Sequence, residues 1–236
     1  MIRLSGRQPV LERLRRAPKS IRTLYLRQGT EAKDLLEEAH RAGCRIVTIP
    51  SSQFARLAGE AHAQGVVAEV EGFSYAALED LLEGKEKRTL FFLDRITDPQ
   101  NLGSILRSLA CFGKMAVVLP KHESVEVTDT VLRVACGGEN EVPVSQVTNL
   151  VQSCELAKKA GYWIAGAVAS GGEPIQKVAW PDAVGVVLGS EGSGIRPGLA
   201  KHLDFSVTLP MPGAPLSFNV AIAAALVAYE VTRSRL

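Results

Sequence analysis

Residues 186–198 read VVLGSEGSGIRPG, and residues 209–230 read LPMPGAPLSFNVAIAAALVAYE. Each is an apolar, strand-like run that breaks at glycine or proline. Such breaks leave backbone N–H and C=O groups exposed at strand ends, where α/β proteins hold their ligands. The second stretch then enters an alanine-rich helix through Ser217 and Asn219. Pro210, Pro212 and Pro215 stiffen the turn, and Gly213 lets it fold tightly. Ser217 is expected to cap the helix, with Asn219 in its first turn. Capping accounts for Ser217 but not for Asn219, Met211 or the prolines, so the stretch is a candidate site.

Upstream of it, strands and helices alternate. Strands are expected at 89–94, 115–119, 162–167, 184–188 and 207–209. Helices are expected at 128–136, at 150–160 and at the end of the chain, and 99–112 reads as a loop leading into a helix. This alternation implies an α/β fold with a mostly parallel sheet covered on both faces. Before it stands a smaller α/β unit. It has helical spacing at 7–17, 31–42 (ending at Gly43) and 52–58, and short strands at 24–26, 45–49 and 66–70. The charged run EGKEK at 83–87 breaks the pattern and is placed as a linker. The expected domains are therefore 1–83 and 88–236.

The chain has 236 residues, 46% hydrophobic and 22% charged, which suits a globular protein with a substantial core. A net charge of +2 advertises no general basic field. The distribution says more. Within the first 27 residues Arg3, Arg7, Arg13, Arg15, Arg16, Lys19, Arg22 and Arg27 face a single acid, Glu12. This excess can meet phosphates; the alternative is a solvated helix face. The four cysteines, at 44, 111, 136 and 154, have no metal-ligand spacing and read as buried thiols of a reducing, cytoplasmic compartment. No metal is expected. No signal peptide opens the chain, and no apolar run reaches the roughly 18 residues of a membrane span.

Two further constellations carry chemistry. In ITDPQNLGSILRSLACFG, 96–113, Asn101 and Arg107 lie six residues apart across a helix start. Gly103 permits close backbone approach there, and a helix N-terminus suits phosphate. The competing reading is that Asn101 only caps the helix and Arg107 is a surface charge. The loop Gly189-Ser190-Glu191-Gly192-Ser193-Gly194 is not a dinucleotide fingerprint, a P-loop or a nucleophile elbow. What remains is a tight loop carrying one carboxylate, Glu191, with Arg196 nearby.

Taken in order, N-x-G-x-x-x-R, L-G-S-E-G-x-G and L-P-M-x-G-x-x-x-S-x-N-V-A resemble the three motifs of the SpoU/TrmH branch of the SPOUT RNA methyltransferases. Residues 134–150 and 63–70 look like the bacterial 23S rRNA guanosine 2′-O-methyltransferase subgroup. Phe218, where leucine is common, and Ala63, where histidine is common, depart from its pattern. The resemblance implies a C-terminal trefoil knot and a first unit like ribosomal protein L30e. It implies S-adenosylmethionine bound near Gly189, Leu209, Met211 and Phe218, and methyl transfer to a ribose 2′-OH of RNA, a guanosine of 23S rRNA. The alternatives are a tRNA 2′-O-methyltransferase and a catalytically inactive RNA-binding protein on the same fold.

The same resemblance assigns RNA contacts to Arg7, Arg13, Arg15 and Arg16, and catalysis to Asn101, Arg107, Glu191, Ser217 and Asn219. A guanidinium does not readily give up its proton, so Arg107 is expected to bind phosphate and stabilise the developing alkoxide. Asn101 would orient Arg107 or the ribose, and Glu191 would hold either arginine or the loop. A homodimer is implied as well. It suits the final helix, whose Ala221, Ile222, Ala225, Leu226 and Tyr229 cannot all face one core stripe.

Overall fold

The chain builds two sheets in succession. The first contains β1 (Ile2–Ser5), β2 (Ile21–Arg27), β3 (Ile46–Ile49) and β4 (Val66–Val70), with α1 (Arg7–Arg16), α2 (Lys33–Arg41) and α3 (Ser51–Ala58) between them. Its strand order is β1-β4-β2-β3. β4 runs antiparallel to both β1 and β2, while β2 and β3 are parallel. The computed structural model describes residues 2–59, 63–84, 86–213 and 216–236. Pro215 of the expected stiff turn and Lys85 of the expected linker lie outside them. β1 escaped the sequence reading because it is four residues long and half polar.

The second unit opens with α4 (Leu78–Glu83) and β5 (Thr89–Asp94), followed by α5 (Pro99–Phe112), β6 (Met115–Pro120), α6 (Asp129–Ala135), β7 (Val144–Val147), α7 (Leu150–Lys159) and β8 (Trp163–Ala167). It continues through β9 (Glu173–Pro174), β10 (Val184–Gly189), α8 (Pro197–Ala200), β11 (Phe205–Thr208) and α9 (Val220–Arg233). Its seven strands lie in the order β7-β6-β5-β10-β8-β11-β9, and every pairing is parallel. β5 and β6 are buried along their whole length, as strands covered on both faces must be. Side chains alternate between the faces. Phe91 and Leu93 join α5, α6 and α9 on one side, and Leu90 and Phe92 join α4 and α7 on the other.

Two expectations are corrected here. Residues 99–102 are helix rather than loop: Asp98 caps α5 by accepting the Gln100 N–H at 2.8 Å, and Pro99 sits at the first helical position, where its missing N–H costs nothing. Gly103 does permit a close approach, but by α6, not by a ligand. A Cβ there would lie 2.6 Å from the Val134 Cβ and 2.9 Å from the Val131 carbonyl oxygen. Just before the expected linker, Leu78, Leu81 and Leu82 of α4 pack with Leu90 and Phe92 of the second sheet.

Nor are the two units held apart by an open linker. The Arg3 N–H donates to Asp129 Oδ2 at 3.2 Å, joining β1 to α6. Arg13 of α1 pairs with Glu139 at 3.0 Å, and their side chains are only 8% and 1% exposed. The Tyr75 hydroxyl accepts the Val127 N–H at 2.9 Å, and the Ala76 N–H donates to the Val144 carbonyl at 2.9 Å. One apolar cluster runs from Leu4 and Val10 through to Phe91 and Val227.

Candidate active site

The carboxyl ends of β5 and β10 lie side by side, Asp94 in register with Gly189. From Gly189 the chain turns at once. The Gly194 N–H returns to the Ser190 carbonyl at 2.8 Å, and the Ser190 and Ser193 hydroxyls meet at 2.8 Å. The loop is therefore a closed turn. Only glycine fits at 189, since a Cβ there would run into the backbone of Gly194 and Ile195.

Two residues that the sequence reading passed over pin this loop. Asp94 is fully buried and accepts both the Arg196 N–H (2.9 Å) and the Arg196 Nε–H (2.7 Å). Arg196 also reaches Glu123 at 2.9 Å. Arg95 adopts φ +59°, an uncommon conformation for a side-chain-bearing residue, and donates from Nη2 to the Gly194 carbonyl at 3.2 Å. The available signal was a carboxylate ending the otherwise apolar run TLFFLD, since a buried charge calls for a partner.

Three of the expected catalytic residues converge. Glu191 Oε1 accepts from Asn219 Nδ2 at 2.6 Å and from Asn101 Nδ2 at 3.2 Å. Asn219 Nδ2 also donates to Asn101 Oδ1 at 2.9 Å. Asn219 Oδ1 accepts the Ala221 N–H at 2.9 Å, so Asn219, not Ser217, caps α9. The helix begins at Val220, one residue after Asn219, which leaves Ser217 too far upstream to cap it. Asn101 is likewise no cap, that position belonging to Asp98. Glu191 is bonded to the two asparagines and holds neither Arg107 nor Arg196. Arg107 lies two turns further along α5, where its Nη1 sits 3.7 Å from Cys136 Sγ. Asn101 therefore does not orient it.

Beside this cluster lies a cavity of about 260 Å³. Its lining includes all four residues expected to hold the cofactor, Gly189, Leu209, Met211 and Phe218, together with Ser217 and Glu191. The walls are apolar and small (Ala167, Leu188, Ala223), and the polar groups come chiefly from the loop and turn. A second cavity of about 220 Å³ adjoins it, sharing Ser190, Glu191 and Gly192 and adding Arg95, Asp98 and Asn101. The Glu191–Asn101 pair thus stands where the two cavities meet.

The arginines expected to contact RNA are placed differently. Arg13 is buried and paired with Glu139. Arg7 pairs with Asp34 at 2.6 Å, Arg15 with Glu12 at 3.2 Å, and Arg16 with Glu141 at 3.1 Å. The fold brings up acids that the first 27 residues lack. The cysteines also differ from expectation: Cys154 alone is buried, Cys44 and Cys136 are half-buried and Cys111 is exposed. Burial pushes the Cys154 thiol up to about 12.

A closed glycine loop at the ends of parallel strands, an asparagine-capped helix and an amide–carboxylate cluster between two cavities make up the site. Residues 88–229 match the SpoU rRNA methylase family, and the chain belongs to that family. Residues 3–76 match the substrate-binding region of RNA 2′-O ribose methyltransferases. Among its relatives, the 23S rRNA (guanosine-2′-O-)-methyltransferase RlmB of Coxiella burnetii is 36% identical, over 93% of this chain and 90% of that protein. RlmB of Neisseria meningitidis serogroup B is also 36% identical, over 98% and 94%. The fold is that of the SpoU methyltransferase AviRb from Streptomyces viridochromogenes, solved in complex with AdoMet: TM-score 0.82 at 22% identity, over 99% of this chain and 90% of that one.

Proposed function

We propose that this protein transfers a methyl group from S-adenosylmethionine to a ribose 2′-OH of RNA, and that the acceptor is a guanosine of 23S rRNA, as in the RlmB relatives. The observation that carries the reading is the pair of cavities meeting at Glu191. The larger suits a molecule with a flat ring and a polar chain, because apolar walls from Ala167, Leu188 and Ala223 adjoin the polar residues of the loop and turn. When bound, S-adenosylmethionine supplies a methyl carbon made electrophilic by the sulfonium beside it. Gly189, Leu209, Met211 and Phe218 would hold it.

The remaining work falls to the chain's own residues. Glu191, Asn101 and Asn219 fix the loop and the start of α9 as one unit, so the acceptor meets preset groups rather than a mobile rim. Ser217 faces the same cavity from the turn. Arg107 is assigned the phosphate beside the acceptor and the charge that develops on the 2′ oxygen. We further propose an L30e-like RNA-binding unit ending before α4 rather than at residue 83, a methyltransferase unit threaded as a trefoil knot, a cytoplasmic setting, and a homodimer built on the outward face of α9. Among the described residues no helix is long and apolar enough to cross a membrane.

Methyl transfer from labelled S-adenosylmethionine to unmodified 23S rRNA and to bulk tRNA tests the reading, with the modified nucleotide mapped. Label on a ribose of a 23S guanosine is expected. Label confined to tRNA would move the substrate, and cofactor binding with no transfer to either would leave an inactive RNA-binding protein. Arg107→Ala and Arg107→Lys should each remove most of the turnover and leave S-adenosylmethionine affinity within about threefold. Lysine lacks the planar fork and should not rescue; near-normal turnover in Arg107→Lys would refute the role given to the fork.

A further inference from the structure

The ion pairs on α1 leave open which side chains meet the RNA backbone. Between the two units lies a cleft of about 230 Å³, lined by Arg3 and Ser5 of β1, Arg56 of α3, and Asp129 and Arg133 of α6. One Arg3 Nη1–H donates to the Leu57 carbonyl at 3.3 Å. Among the described residues, the guanidinium groups of Arg56 and Arg133 have neither a hydrogen bond nor an ion pair. Among the described residues Asp129 is the one carboxylate in the lining, and its Oδ2 already accepts the Arg3 N–H at 3.2 Å. Among the described residues, three guanidinium groups thus face a single acid across a seam to which both units contribute.

The cleft also sits close to Arg107. α6 carries Arg133 and ends at Cys136, whose thiol donates to the Arg133 carbonyl at 3.2 Å and lies 3.7 Å from Arg107 Nη1. Arg133 and Cys136 are three residues apart, less than one helical turn.

We propose that this inter-unit cleft grips the phosphodiester backbone of the RNA substrate, next to the nucleotide that Arg107 serves. The proposal rests on the methyl-transfer reading for its second clause only. Planar guanidinium forks match phosphate oxygens two at a time, and Arg56 and Arg133 have theirs uncommitted among the described residues. A ligand held by Arg3, Arg56 and Arg133 touches both units at once. Correct docking of the RNA on the first unit therefore sets its position on the second.

The test measures binding of an unmethylated 23S rRNA transcript across a salt series, by filter retention, for wild type, Arg56→Gln, Arg133→Gln and the charge-matched control Arg45→Gln, which alters an exposed arginine outside the cleft. Each cleft variant should flatten the dependence of log affinity on log salt by about one unit and raise the KM for RNA about tenfold, with kcat and S-adenosylmethionine affinity within about twofold. The exposed Arg56 keeps the test sound if the half-buried Arg133→Gln folds poorly. Unchanged slopes in both cleft variants, or an equal loss in Arg45→Gln, would overturn the cleft. If wild type transfers no methyl group while the cleft variants still lose salt-dependent affinity, the cleft stands and the methyl-transfer reading falls.

Discussion

The Asn219 amide is used at every atom. Its oxygen caps α9, and its nitrogen donates to both Glu191 and Asn101. The cap fixes which way the amide points, because only the oxygen can accept the Ala221 N–H. Asn219→Asp would keep the cap and set a second carboxylate against Glu191. We expect S-adenosylmethionine affinity and turnover to fall roughly tenfold, about 1.4 kcal/mol, by titration calorimetry and methyl transfer. An unchanged affinity would mean that the Glu191 contact is incidental. The thiols make a second residue-scale prediction. Cys111 is exposed, whereas Cys154 is buried, with its pKa raised from 9.0 to about 12. A thiol reagent at pH 8 should modify Cys111 quickly and Cys154 only after unfolding. The unfolded chain releases the Cys154 proton near pH 9 and the folded chain holds it to about 12. Stability tied to this group is thus complete below pH 9 and is lost as pH rises through that window. The alkaline fall in melting temperature should be shallower in Cys154→Ala.

At the scale of the element, α9 carries two apolar stripes. Val220, Ala221, Ala224, Val227, Ala228 and Val231 face the protein's own core. Ile222 and Tyr229 form the other stripe and are 51% and 52% exposed, with Ala225 and Leu226 partly exposed between them. Of the five residues that could not all face one core stripe, Ala221 is the one that belongs to the inner stripe. A charge therefore has opposite consequences at neighbouring positions. Ala228→Glu should unfold the protein, since an unpaired buried charge costs several kcal/mol, roughly 3 or more. Ile222→Glu and Ala225→Glu should leave the fold intact and yield monomers with little activity. Light scattering checks this. A wild-type protein that is monomeric at micromolar concentration and still methylates RNA would sink the dimer.

At the scale of the whole molecule, the two units are locked by a buried pair and a tight turn. Gly137 leaves no room for a side chain against Glu12 of α1, and a Cβ at Gly138 would lie 2.8 Å from the Leu106 carbonyl oxygen and 2.9 Å from the Arg107 Cα. The turn that holds Glu139 thus touches both the first unit and the backbone of Arg107. Glu139 Oε2 and Arg13 Nε are buried with no protein partner among the described residues. Arg13→Met should cost about 3–5 kcal/mol by stranding Glu139, whereas the double variant Arg13→Met/Glu139→Leu should recover most of it, as read by urea denaturation. If the single variant is as stable as wild type, the pair does not hold the units together.

The sequence by itself determined most of the elements, though not β1 or α4, and the order of the three site segments. It could do so because apolar periodicity and glycine–proline breaks are local signals. TLFFLD and VGVVLG announce buried parallel strands without reference to any partner. What stood around each residue was decided only by tertiary structure. Arg13 looks like a basic surface residue until Glu139, more than a hundred positions away, is folded against it. Asp94 is unremarkable until Arg196 arrives, and α4 belongs to the second core because its leucines pack there, not because of its place in the chain. Ser217 was the expected cap until the start of α9 gave that place to Asn219. Charge pairing, burial and the joining of Glu191 to Asn101 and Asn219 depend on distances through space, and a linear pattern does not carry those distances.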